Sequence, residues 1–275
     1  MKDGRLVSGS YDKSIIIYNK ETYKPDLIIE EHKDKIICIN QLRTGLLASC
    51  SFDKTIILFH INGKKYEIIQ ILDYHTGPIK KIIELNNNKL VSCSDDNYII
   101  FYKIDNLNYT KDYSISTNGH CTSIIQTTEN EICYSTKNKI YFYDIIEKNN
   151  KISIENISIT DGSNGNRVWP IMINKELLLI PGEAEISIVN VFEHKLMRIV
   201  KIPDSNQIYG ICLLTKNMLL IGDYYGVLSQ WKIEGNNLIF ISKKEKAHSG
   251  WINYLQNLED GHIASCSDDK TVKIW

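Results

Sequence analysis

The sequence predicts an all-β protein made of seven similar units, and three observations carry that prediction. A short phrase recurs: LVSGSYDKSIIIY at 6–18, LLASCSFDKTIILF at 46–59, LVSCSDDNYIIFY at 90–102 and IASCSDDKTVKIW at 263–275. The copies keep a nearly constant period. Between them run Ile- and Val-rich stretches of four to eight residues, bounded by Asn, Gly, Asp and Lys, which read as strands; no segment holds a convincing helical period.

Anchoring each unit on the Asp after the SxS run puts Asp12, Asp53, Asp96 and Asp269 in one slot, and weaker copies put Lys137, Glu183 and Tyr225 there. Successive steps are 41, 43, 41, 46, 42 and 44 residues, the period of a four-stranded propeller blade. After the turn, an apolar run ends six residues on in an aromatic: Tyr18, Phe59, Tyr102, Tyr143, Trp231 and Trp275, with Val189 breaking the rule. Before the turn lies a second run, and before that a third, such as KIICINQL (35–42) or PIKKIIEL (78–85). A weaker fourth opens each unit, such as YEIIQIL (66–72) or NLIFISK (237–243). The expected architecture is one domain over 1–275, a seven-bladed β-propeller of four-stranded antiparallel blades. About 26 strands are countable, because the first blade lacks its innermost strand and the last its outermost. Unpaired edges invite aggregation, so the chain is expected to be a segment of a longer protein carrying further domains.

These repeats resemble the WD-repeat β-propeller family, over the whole chain. His32, His75 and His248 each precede a turn Asp (Asp53, Asp96, Asp269) by 21 residues, and Ser49, Ser92 and Ser265 precede it by four. The resemblance implies a buried, hydrogen-bonded His–Ser–Asp–Trp set in these blades. It is complete only where Trp275 closes the third; Phe59 and Tyr102 replace the Trp in the other two. A buried Asp costs several kcal/mol unless its acceptors are filled. Turn amides and the His N–H can fill them, and a satisfied network specifies one strand register. The repetition argues against chemistry, since copies confined to separate blades do not converge on one catalytic or metal-binding centre. Cys50, Cys93 and Cys266 fall three residues before the turn Asp, where the first unit has Gly9. A thiol in so small a strand slot behaves as a compact apolar group.

Composition closes off other classes. With 32 basic and 33 acidic residues the formal net charge is −1, which provides no field to draw the protein to nucleic acid or an anionic membrane. Only four basic residues are arginine (Arg5, Arg43, Arg167, Arg198), the residue suited to bidentate phosphate capture. Seven cysteines without a CxxC pair suit neither a zinc site nor a disulfide framework. No run approaches the ~18 apolar residues of a membrane helix, and no apolar leader follows Met1. The sequons at Asn108 and Asn156 therefore read as chance matches. DGSNGN (161–166) lacks the lysine and spacing of a phosphate-binding loop, and KKEK (243–246) is a short solvated run. The expectation is a soluble protein of the cytoplasm, with the nucleus as the alternative, holding no cofactor or metal and binding other proteins or peptides.

The resemblance places function where the loop before each innermost strand meets the turn after the second strand. Residues just before the turn Asp include Tyr11, Phe52, Asp95, Tyr224 and Asp268. Those at the start of the innermost strand include Lys35, Pro78, His120, Gln207 and Trp251, with Trp169 nearby. His120 lies 17 residues before Lys137 rather than 21, which takes it out of the tetrad pattern despite its Gly-His dipeptide. The expected partner-binding rim is thus Tyr11, Phe52, Asp95, His120, Trp169, Tyr224, Trp251 and Asp268, an aromatic and acidic set. Aromatics are over-represented at binding hot spots, and Asp95 with Asp268 would hold a lysine or arginine. The implied role is a non-enzymatic interaction scaffold. The alternatives are the substrate-recognition module of a ubiquitin ligase or a reader of lysine-rich chromatin tails, and, from another class, an enzyme using the central channel.

Overall fold

The computed structural model describes residues 1–136, 139–146, 149–155, 169–258 and 260–275. The turn position Lys137 and the DGSNGN stretch lie outside the described residues. Among the described residues there are 26 strands in seven antiparallel sheets, the blades of a β-propeller fold; the first and last have three strands and the others four. Among the described residues no helix is long and apolar enough to cross a membrane.

The chain divides into two compact units, Met1–Ile124 and Ile125–Trp275. The first holds three blades: β1 (Val7–Gly9), β2 (Ile15–Tyr18) and β3 (Pro25–Ile29); β4 (Ile36–Gln41), β5 (Leu47–Ser51), β6 (Ile56–Asn62) and β7 (Lys65–Leu72); β8 (Ile79–Glu84), β9 (Leu90–Ser94), β10 (Tyr98–Asp105) and β11 (Asn108–Ser116). β5 and β9 are buried at every position. Covered on both faces, they read as runs of apolar and small residues without polar alternation. The recurring phrase is this strand together with its turn. Lys13, Lys54 and Asn97, each just after the turn Asp, have left-handed φ values of 79°, 73° and 67°, which close the turn tightly enough for the Asp side chain to reach the amides beyond it.

Neighbouring blades share one core: Ile15, Ile17 and Ile29 of the first blade pack against Ile36, Leu47, Ile57 and Phe59 of the second. The small slot before the turn exists because the next inner strand lies against it. A Cβ on Gly9 would come within 2.7 Å of Ile36 and Ile39, whereas Cys50 and Cys93 fit there fully buried.

The second unit carries four blades, except for the first two residues of β12: β12 (Ser123–Thr128), β13 (Glu131–Thr136), β14 (Lys139–Asp144) and β15 (Asn149–Glu155); β16 (Ile171–Met172), β17 (Leu177–Pro181), β18 (Glu185–Asn190) and β19 (Lys195–Lys201); β20 (Ile208–Thr215), β21 (Met218–Asp223), β22 (Leu228–Glu234) and β23 (Asn237–Lys244); β24 (Ile252–Asn257), β25 (Ile263–Ser267) and β26 (Val272–Ile274). Leu179, Ile186 and Ile188 of its second blade meet Ile208, Ile211 and Ile221 of its third. The KKEK run is only partly a loop: Lys243 and Lys244 end β23.

Candidate functional site

The structure brings the three predicted polar sets together with one geometry. His32 Nδ1 lies 2.8 Å from Asp53 Oδ2 and its Nε2 lies 2.6 Å from Ser49 Oγ. The corresponding distances are 2.7 and 2.8 Å for His75 with Asp96 and Ser92, and 2.8 and 2.6 Å for His248 with Asp269 and Ser265. An ionised carboxylate can only accept, so Nδ1 carries the proton and Nε2 of the neutral ring accepts from the serine hydroxyl. The serine oxygen accepts in turn from Trp275 Nε1 at 2.9 Å or meets the Tyr102 hydroxyl at 2.9 Å. Tyrosine therefore keeps the fourth hydrogen bond that Phe59 loses. Backbone amides complete the carboxylates: Lys33, Thr76 and Ser249 donate to Oδ2 at 2.8, 2.9 and 3.1 Å.

Burial by itself would raise these carboxyls, but hydrogen bonds outweigh it. Those from His32, Thr55 and the Lys33 amide hold Asp53 well below the usual carboxylate range. His75 and the Thr76 amide lower Asp96, and Thr271 and His248 lower Asp269. All three histidine side chains are fully enclosed. Each set lies inside its own blade, with no room for a substrate between its members.

At the turn end of the blades, one backbone hydrogen bond recurs. The residue before the turn Asp donates to the residue that starts the same blade's innermost strand: Phe52 to Lys35, Asp95 to Pro78, Tyr224 to Gln207 and Asp268 to Trp251, at 2.9–3.0 Å. The two sequence positions chosen for the rim are thus neighbours within each blade.

In the first unit the rim forms a ladder. Lys35 Nζ stands 4.8 Å from the Tyr11 ring centre and 5.6 Å from that of Phe52, and Lys80 Nζ stands 4.6 Å from Phe52. Lys80 then ion-pairs with Asp95 at 2.9 Å, and the exposed His120 ring hydrogen-bonds the Asp95 carbonyl. This corrects the expectation for Asp95: its carboxylate is already matched by a lysine only 4% exposed. Lys80 was missed because it sits in the apolar pattern of β8. Its position on an innermost strand, directly after Ile79, was the available signal.

In the second unit Trp251 is the centre of an aromatic group. It stacks on Tyr224 at 4.7 Å and on Tyr209 at 5.7 Å, and Tyr225 meets Tyr224 edge-on at 5.3 Å. Tyr209 is buried, Tyr224 and Trp251 are half-buried, and Tyr225 is 56% exposed. Asp268 is exposed beside them and accepts from the Asn253 amide. Trp169 departs from expectation. Only 9% of it is exposed, because its ring packs edge-on against Tyr254 at 5.3 Å, which leaves little surface for a partner.

Two further polar features escaped the sequence reading. Glu131 on β13 binds His194 at 2.7 Å and Thr127 at 2.8 Å, a polar tie between adjacent blades. Asp223, two residues before its turn slot, accepts from the Tyr225 and Val227 amides at 2.9 Å. Burial raises its carboxyl above the usual range.

Residues 241–275 match the model for the WD domain, G-beta repeat. That stretch is similar to a WD repeat. No curated protein matches the chain. The seven blades fit a WD-repeat propeller family, whose propellers are typically protein-interaction scaffolds. The three His–Ser–Asp sets are enclosed within their own blades, which leaves the rim as the candidate binding surface.

Proposed function

We propose that the chain is a non-enzymatic scaffold that docks peptides or domains of other proteins on its rim, chiefly through the second unit. One observation carries this reading: Trp251 and Tyr224, stacked and half-exposed, lie beside Asp268. Rigid aromatics present large contact area at little entropic cost, and such side chains dominate binding energy. Asp268 supplies a polar anchor for a basic residue of the partner, a duty that Asp95, matched by Lys80, does not share. The first-unit ladder saturates its own charges and offers the Tyr11 and Phe52 rings as secondary contacts.

The test is quantitative capture from cell extract with the native protein and with Trp251→Ala plus Tyr224→Ala, after equal far-UV spectra show both to be folded. Specific partners should be lost from the double variant. If every partner stays bound, the rim is not the docking surface.

A further inference from the structure

The blade formed by β20–β23 has lost its polar set, and the space has become a cavity. Counting from Tyr225 as the other sets are counted from their Asp, the four slots hold Asp204, Ile221, Tyr225 and Trp231. All four line a cleft of about 470 Å³. The backbone explains the opening. Ile202 N bonds Ala184 O as His248 N bonds Gly226 O, so an apolar side chain enters where a histidine would. Asp204 then points outward, its side chain 84% exposed, and Tyr225 also swings toward solvent.

The missing turn carboxylate is replaced from two residues upstream. In the intact blades Ser51, Ser94 and Ser267 accept the amide of the turn Asp, and the Asp accepts the amide two residues on. Asp223 does both with Oδ1 alone. Oδ2 takes neither turn amide; the residue is only 6% exposed and lines the cleft. Ser205, also in the wall, turns its hydroxyl toward the Asp223 carboxylate and lowers it, at a separation too loose for a well-formed hydrogen bond.

The remaining lining gives the cleft a sign and a character. Asp204, Asp223 and Glu245 face one lysine, Lys243. That lysine pairs with Glu245 at 2.7 Å and lies 3.7 Å from Asp204, leaving Asp223 without a cation. Trp231 and Phe240, edge-to-face at 5.3 Å, line an apolar wall. A carboxylate and a hydroxyl with no cation of their own, at the end of an apolar, aromatic-walled cleft, match a long aliphatic stem that ends in an ammonium. Tyr225 connects the cleft to Tyr224 on the rim, where an extended chain would run.

We propose that this cleft receives a lysine side chain of a partner peptide, with the ammonium on Asp223 Oδ2 and Ser205 Oγ and the stem against Trp231 and Phe240. The proposal does not depend on the rim reading.

Calorimetric titration of the whole chain with a short Gly/Ser peptide bearing one central lysine tests it, with the norleucine peptide and n-butylamine as comparisons. The lysine peptide should bind and the other two should bind far more weakly. Asp223→Asn keeps the Oδ1 acceptor for both turn amides, and it should weaken the lysine peptide by roughly thirtyfold or more. Phe240→Ala, at a position 49% exposed, should weaken it as well. Ile28→Ala, an exposed position on the first blade, should leave it unchanged, and because the capture experiment alters only Trp251 and Tyr224, a failed rim and a failed cleft give different results. The proposal is overturned if norleucine binds as well as lysine or if Asp223→Asn retains full affinity. Butylamine binding as tightly as the peptide overturns the peptide as the source.

Discussion

Asp12 and Asp53 occupy the same turn slot in adjacent blades, and replacing each with alanine isolates what the histidine adds. Both carboxylates accept an amide and a hydroxyl from the residue two positions on: Ser14 at 2.9 and 2.6 Å for Asp12, Thr55 at 3.0 and 2.6 Å for Asp53. Only Asp53 also receives His32 Nδ1 and the Lys33 amide, each at 2.8 Å. Asp53→Ala leaves the His32 ring, itself 5% exposed, with a donor that water cannot reach. The Lys33 amide belongs to an exposed residue and is partly rehydrated, so it contributes less. A hydrogen bond to a charged group contributes about 1.5–3 kcal/mol, and orphaning a buried polar group costs about as much. Asp53→Ala should therefore cost about 3–4 kcal/mol, and the exposed Asp12→Ala about 1 kcal/mol. Urea unfolding followed by tryptophan fluorescence measures both, compared through midpoints at equal m-values. Equal losses, or a larger loss for Asp12→Ala, would refute the claim that the buried histidine makes these turns strong.

Three further expectations follow from the same geometry. Because Asp53, Asp96 and Asp269 have lowered folded-state pKa values, their stabilisation is complete above the unfolded carboxylate value of about 4 and is lost as pH falls below it; an acid titration of stability should drop less steeply for Asp53→Asn than for the native chain. Lys80→Met should cost about 2 kcal/mol by leaving the partly buried Asp95 unmatched, and Lys80→Met with Asp95→Asn should recover most of it in a double-mutant cycle by thermal melting. Six of the seven cysteines are buried, Cys266 being partly exposed, and burial pushes the Cys212 thiol up to about 12. Mass spectrometry after brief iodoacetamide treatment of the native protein at pH 8 should find label on Cys266 and little elsewhere; fast labelling of Cys212 would contradict its enclosure.

Repetition is what made the fold readable in one sequence. A four-strand unit of 40–45 residues announces itself by period, and three copies of the His-to-Asp spacing leave little freedom in register, so the strands of the recurring phrase and the partners of His32, His75 and His248 were determined by order along the chain. What the period could not convey is how one blade's side chains meet the next. Lys35 and Lys80 look like ordinary strand lysines until packing lays them against Tyr11, Phe52 and Asp95. Trp169 looks like a rim aromatic until Tyr254 covers it. Asp223 lies outside the counted slots, and only the turn geometry reveals that it serves two of them while facing a cleft. Backbone pairing follows spacing, because hydrogen-bonded strands repeat with the chain. Charge matching and cavities depend on distances between residues far apart in sequence, and those are set only when the blades pack.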